Sequence, residues 1–337
     1  MILNMKKLCI VVHVFKGEYT RHDYKEFIPL FVYFCLKHYP EYDIRVYTDE
    51  PLPPFLARQL EWLRDMGNFE IIENYCVDGL YEHKNADVGK AMRWLYYDEV
   101  FEEYDALYVG DVDVLICRED APLYEQHKAH CRFLGLPYSN IVRDLPVVKA
   151  TNSRYLIKCI IQHGFRETTR YMLKDMSGWF RLSGLHFIET KSYYEKVRSA
   201  IPIIVEEMNQ LLSRRSPYWN LCCPPFNEHV LYRLVQYANL GLPPRITLEE
   251  HKNTSSQILD TQRYDYRPHH GLHLGLFRSK EQNAVKTPFL LEPAYLDYYR
   301  QFNELSREDE RLQKLITNAS PLITDTLTRM RDFYQRH

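Results

Sequence analysis

The chain has 337 residues, of which 45% are apolar and 26% charged, with 43 Lys plus Arg against 45 Asp plus Glu. This is the composition of a folded protein with a full hydrophobic core. The near-neutral balance excludes a general nucleic-acid binder, which carries a strong basic excess.

In chain order, Leu8 to Val14 is an unbroken apolar run rich in Val and Ile, which predicts a strand buried on both faces. Phe27, Leu30, Phe31, Phe34 and Cys35 then recur at helical spacing, with Pro29 near the helix start and Pro40 beyond its end. Ile44 to Thr48 predicts a second strand, running into Asp49 and Glu50, and Phe69 to Ile72 a third. Ala91 to Phe101 predicts a helix and Ala106 to Val109 a further strand. Strand and helix alternate, so residues 1–150 read as an α/β unit with a mostly parallel sheet. Further on, Leu185 to Ile188 and Arg245 to Leu248 predict strands, and Tyr193 to Leu212 and Phe226 to Tyr237 predict helices. From Pro293 two helical segments follow, broken near Ala319-Ser320-Pro321. The expected organisation is one composite domain over residues 1–290 and a helical extension over 291–337.

None of the eight cysteines forms a C-x-x-C pair, so neither a zinc ribbon nor a thioredoxin-type motif is expected. Most sit in apolar runs and read as buried thiols of a reducing compartment. Lys6 and Lys7 precede an apolar run that is short for a signal core, and no stretch approaches the ~20 apolar residues of a membrane span. A soluble, cytoplasmic protein is expected. Tyrosine is abundant, 27 against 16 Phe. A tyrosine ring buries while its hydroxyl stays available, which suits a carbohydrate or nucleotide site but does not identify one.

The most informative segment is Tyr104-Asp105-Ala106-Leu107-Tyr108-Val109-Gly110-Asp111-Val112-Asp113. An apolar strand stops at two carboxylates spaced i, i+2. In open α/β sheets ligands bind at the carboxyl ends of strands. Carboxylate and phosphate oxygens are the ligands that Mg²⁺ and Mn²⁺ prefer, so two acids there can hold an ion that neutralises a diphosphate. The competing reading is a solvated turn after a strand.

A helix, Tyr-Asp, and an apolar strand entering Asp-x-Asp together resemble the centre of GT-A fold glycosyltransferases, which use nucleotide sugars. The resemblance implies an α/β GT-A fold with a nucleotide-sugar half over residues 1–150 and an acceptor half over 151–290. It implies that Asp111 and Asp113 bind Mn²⁺ or Mg²⁺ at the donor diphosphate, with Asp111 also meeting the ribose. Gly110 departs from many relatives, which carry another Asp or a large apolar residue there. The end of the first strand, Val12-His13-Val14-Phe15, would contact the nucleotide, with Tyr19 and Asp23 in the following loop as further candidates. Lys90 and Arg93 are i, i+3 on one helix face and would serve phosphate or carboxylate binding. Ser183 and Gly184 resemble the small-residue segment that lets backbone approach the sugar. Phe226-Asn227-Glu228 resembles the D-E or D-Q element of retaining members. Asn227 is then the expected N-cap, and Glu228 projects toward the sugar.

Arg267-Pro268-His269-His270-Gly271-Leu272-His273-Leu274-Gly275-Leu276-Phe277-Arg278 resembles the H-x-x-G-x-x-K element that closes family-8-type cores. The interval from His273 to Gly275 is one residue shorter, and Arg replaces Lys. The resemblance implies His273 as third metal ligand, His270 as runner-up, and Gly275 and Arg278 at the diphosphate. It implies sugar transfer from a UDP-sugar to a hydroxyl of a glycan or glycoconjugate, with retention. Retention could proceed by front-face attack or with Glu228 as nucleophile, and Glu228 could equally serve as the base of inversion, so the stereochemistry stays open.

Two other functions fit fewer features. A haloacid-dehalogenase-type phosphatase also uses D-x-D after an apolar strand, with the first Asp as nucleophile, but places it on the first strand. A catalytically silent nucleotide- or glycan-binding protein would share the fold without turnover. The tail reads as helices packed on the core. The alternatives are a partner surface or peripheral attachment to a membrane, and the mixed charge of the tail disfavours the membrane.

Overall fold

The structure is a computed structural model describing residues 6–16, 23–80, 86–143, 157, 160, 161, 164–166, 181, 182, 186–213, 226–246, 270–278 and 288–337. Strand β1 (Lys6–Val14) begins with two exposed lysines and is then buried along almost all of its length. It lies between two parallel neighbours, β2 (Asp43–Thr48) and β4 (Tyr104–Gly110), with Val12 opposite both Val46 and Gly110. With β3 (Phe69–Glu73), β6 (Tyr138–Ser139) and β9 (His186–Glu189) the sheet order is β3-β2-β1-β4-β9-β6. The chain thus moves outward from β1 to β3 and returns to place β4 on the other side of β1. That reversal makes the carboxyl ends of β1 and β4 the switch point of the sheet, where such folds bind ligands. The β1, β2, β3 and β4 pairings are parallel, and β9 is antiparallel to both β4 and β6.

Smaller pairings surround this sheet. Strand β5 (Val114–Ile116) follows the acidic pair and pairs antiparallel with β11 (Gly271–His273). Strands β7 (Val142–Arg143), β8 (Arg181–Leu182) and β10 (Arg245–Ile246) form a short separate sheet.

Helices cover both faces of the sheet. Side chains of β1 alternate between two cores, as the pleat requires. Leu8, Ile10, Val12 and Val14 face one, with α1 (Ile28–His38). Cys9 and Val11 face the other, with α3 (Ala86–Leu95), α5 (Thr190–Ser213) and α6 (Phe226–Tyr237). Two helices were not expected: α2 (Pro54–Glu61), entered through Pro53, and α4 (Leu123–Leu134), closed by Gly135 at φ 65°. The predicted helix from Ala91 to Phe101 is instead α3, ending at Leu95, followed by a 3-10 turn at Glu99–Glu103. Asp98 makes the break: its backbone is extended and its carboxylate caps Val100 N.

The tail forms three helices where two were expected: α7 (Pro293–Glu308), α8 (Glu310–Thr317) and α9 (Pro321–Arg336). The extra break is at Asp309, which is extended and accepts from Arg311 N and Leu312 N. Leu312, Leu315, Ile323, Leu327 and Met330 are buried in the same core as β1 and α1. Phe302 stacks on Phe34 with ring centres 6.1 Å apart. Among the described residues no helix is long and apolar enough to cross a membrane.

Candidate active site

A cleft of about 290 Å³ opens at the switch point, between the ends of β1 and β4, helices α3 and α6, and the end of β11. Eight of the expected residues line it: His13, Lys90, Arg93, Asp111, Asp113, Asn227, Glu228 and His273. Val12 is buried in the strand behind. Arg278 lies 5.0 Å from the ring centre of Tyr24, which itself lines the cleft. Tyr19, Ser183 and Gly184 fall outside the described residues. Val14 and Phe15, from the strand end expected to meet the nucleotide, also line the cleft, as do Tyr24, Gly89 and Val112, which were not anticipated.

The two acids play different parts. The carbonyl of Asp111 accepts from Val114 N at 3.2 Å, which turns the chain from β4 into β5. Its carboxylate Oδ1 accepts from Arg93 Nη1 at 2.6 Å, and the same nitrogen donates to Gly110 O at 3.3 Å. The Arg93 guanidinium is buried and lies 4.3 Å from the Trp94 ring centre. Asp113 instead meets β11: its carbonyl accepts from Leu274 N at 2.7 Å, and its Oδ1 is 3.5 Å from His273 Nε2. The antiparallel register sets His273 opposite Val114 and so beside Asp113. Gly275 keeps this corner open. A Cβ there would lie 2.3 Å from Asp113 Oδ2 and 2.9 Å from His273 Nε2. A carboxylate oxygen and an imidazole nitrogen therefore border one small space. Burial disfavours a charged His273, but the Asp113 charge and hydrogen bond, with the Asp111 charge, outweigh it and raise its pKa above the usual histidine value.

His270, the other candidate ligand, is elsewhere. Its Nδ1 is 2.9 Å from Glu119 Oε2 and its Nε2 is 2.9 Å from His127 Nε2, so both ring nitrogens are engaged away from Asp113. Among the described residues no three His, Cys, Asp or Glu side chains converge as a ready metal cage.

The remaining walls are aromatic and polar. His13 stacks on Tyr47 at 4.8 Å and meets Tyr75 and Tyr96 edge-on at 5.1 and 5.8 Å. Burial in this cluster, with the Arg93 charge, pushes the His13 pKa down to about 3, so its ring is neutral. Lys90 and Arg93 both reach the cleft from α3, as their spacing predicted. Asn227 is buried as the second residue of α6, inside the first turn, so it is not the N-cap expected for it. Glu228 follows it in the first turn, where the helix dipole favours an acid.

No protein-family model matches this chain, and no curated protein does. Among solved structures it is similar to the glycosyltransferase GlyE of Streptococcus pneumoniae TIGR4, at 10% identity and a TM-score of 0.37, over 89% of this chain and 64% of that one. The chain thus spans less than two thirds of GlyE. It is also similar to a "putative nucleotide-diphospho-sugar transferase" of Desulfovibrio desulfuricans G20, at 12% identity and a TM-score of 0.33, over 90% and 98% of the two chains. Scores of this size leave the functional reading to rest on the chain's own residues.

Proposed function

We propose that this protein is a metal-dependent GT-A glycosyltransferase that moves a sugar from a nucleotide diphosphate sugar, a UDP-sugar, to an acceptor hydroxyl on a glycan or glycoconjugate. One observation carries the reading. Asp113 and His273 border a single space that Gly275 keeps open, at the switch point of a parallel sheet.

That donor set fits Mn²⁺ or Mg²⁺. Carboxylate oxygen suits both ions, and imidazole suits the softer one. The lack of a third convergent ligand among the described residues is compatible with such an ion, because Mg²⁺-type sites commonly take substrate phosphate and water in their other positions. Bound there, the metal would supply Lewis-acid stabilisation of the departing diphosphate. Lys90, at the rim, would add a cation for the same charge. Arg93 orients Asp111, leaving that carboxylate in place to accept hydrogen bonds from donor hydroxyls. Neutral His13 offers the nucleotide an uncharged ring wall. Glu228 sits where a carboxylate can face the sugar, and the resemblance to retaining enzymes favours retention. Cys9, Cys35, Cys117 and Cys131 are buried free thiols, which suits reaction in a reducing cytoplasm.

The test is a panel of nucleotide sugars assayed for hydrolysis and transfer with Mn²⁺, using the native chain and Asp113→Ala. Loss of a dominant charged ligand is expected to cut turnover by a factor of about 100 or more. Undiminished turnover in Asp113→Ala would overturn the metal assignment. Tight diphosphate binding without turnover on any donor would favour a silent binding protein.

A further inference from the structure

A line of buried polar side chains runs behind the cleft and takes no part in lining it. Tyr298 on α7 donates to Glu119, three residues past β5. The same carboxylate accepts from Gln126 Nε2 on α4 at 2.6 Å and lies 2.9 Å from His270 Nδ1, just before β11. His270 Nε2 is 2.9 Å from His127 Nε2 on α4. His127 Nδ1 and His130 Nδ1 each lie 2.8 Å from Ser139 Oγ on β6. The three histidines and Ser139 are all buried.

One assignment of protons satisfies every one of these contacts with uncharged rings. A carboxylate only accepts, so His270 carries its proton on Nδ1. A neutral His270 then accepts at Nε2, and His127 donates from its own Nε2. His127 Nδ1 is left as an acceptor, filled by the Ser139 hydroxyl. Ser139 Oγ in turn accepts from His130 Nδ1. Each donor polarises the next, and the sequence ends on Glu119.

We propose that this line positions His273, with Glu119 as its anchor. This rests on the reading of Asp113 and His273 as a cation site. His270 immediately precedes the three-residue strand β11, whose last residue is His273. Backbone bonds tie that strand to its neighbour at both ends, from Cys117 N to His270 O at 2.9 Å and from Leu274 N to Asp113 O at 2.7 Å. The histidine line adds a hold toward α4 and α7, in a direction those bonds do not supply. Well-packed apolar side chains would serve stability as well, so a polar line here is better explained by the fixed geometry it imposes.

The test uses Glu119→Gln and Tyr298→Phe in the full chain, with Asp113→Ala as reference. A glutamine removes the charge and one of the two acceptor oxygens, so the anchoring bond from His270 Nδ1 weakens. On ¹⁵N-histidine-labelled protein without metal, the native chain should show scalar coupling across the His127–His270 N–H···N bond, and Glu119→Gln should show it weakened. Mn²⁺ affinity, read by electron paramagnetic resonance, should fall about 10-fold in Glu119→Gln, the scale of outer-shell changes. Tyr298→Phe should keep the coupling and bind about 2- to 3-fold more weakly, a fraction of that outer-shell effect. Native affinity in Glu119→Gln would make the line purely structural and overturn the proposal. If Glu119→Gln does not fold, native affinity in Tyr298→Phe overturns it instead. Absence of the coupling in the native chain would overturn the donor order. Failure of the native chain to bind Mn²⁺ any better than Asp113→Ala would instead remove the cation reading itself, and this proposal with it.

Discussion

Arg93 and Gly275 decide where the two acids of the cleft can go. The Arg93 guanidinium reaches Gly110 O and Asp111 Oδ1 from one nitrogen while its plane lies over Trp94. Lysine has neither the plane nor the fixed fork. Arg93→Lys should therefore lower turnover by about 10-fold or more, with a loss of about 1–3 kcal/mol in stability from the disturbed buried pair. Steady-state kinetics and urea unfolding measure the two effects separately. At Gly275 the added methyl of Gly275→Ala would collide with Asp113 Oδ2 and His273 Nε2. Mn²⁺ binding should fall about 10-fold or more, a loss of about 1.4 kcal/mol in binding, while stability changes by about 1 kcal/mol or less. Calorimetric titration with Mn²⁺ checks the first, and a melting curve the second. At this scale the acid pair was legible because its parts are adjacent in sequence, and His273 because its neighbours form an unusual local cluster. The ring of Tyr47, Tyr75 and Tyr96 around His13 was not legible. Those residues come from separate elements, and no spacing in the sequence links them.

Boundaries between elements are set by single capping residues. Asp309 separates α7 from α8 by accepting from two backbone amides, and its carboxylate also pairs with Lys37 Nζ at 2.7 Å. Asp309→Ala should cost about 1–2 kcal/mol, the usual range for a lost cap. Asp309→Asn keeps a capping oxygen and should cost less. An equal fall in melting temperature for both variants would place the effect in the Lys37 pair instead. Strong hydrophobic runs made the strands around β1 and the helix α6 readable in advance. The break at Asp309 was missed because no Gly or Pro marks it. Helix α2 was not expected either; Pro54 occupies its first turn, where the missing N–H costs nothing. The Asn227 cap failed in another way. A good capping residue was present, but the helix already includes the residue before it.

Across the whole molecule, burial of neutral histidines ties stability to pH. Burial pushes His130 down to about 4, and burial with the Arg93 charge pushes His186 down to about 3. His186 is held by Asn140 Nδ2 at 2.8 Å from its Nδ1 and by Tyr193 OH at 3.3 Å from its Nε2. In the unfolded chain a histidine titrates near pH 6.5, so on acidification the unfolded state takes up these protons first. Their contribution is complete above about pH 6.5 and is lost as pH falls from there toward the folded values, at up to about 1.4 kcal/mol per pH unit for each group. Urea unfolding between pH 7 and 5 should show this slope. His186→Gln, which keeps a hydrogen-bonding side chain without the titration, should flatten it. A slope unchanged by that substitution would count against the assignment.

The tail has a kinetic consequence. Ser320, which caps α9, donates to Glu26 across 294 residues of chain, and Lys37 reaches Asp309 across 272. The side of β1 that carries Leu8, Ile10 and Val12 shares its core with α7, α8 and α9. That core therefore closes only after a loop of nearly the full chain has been brought together, whereas the opposite core is built from elements nearer in sequence. Contacts of such long range slow folding. Refolding should thus proceed in at least two phases, with the later one burying the aromatic pair Phe34 and Phe302, and until then one apolar face of the central strand stays open to association with other chains.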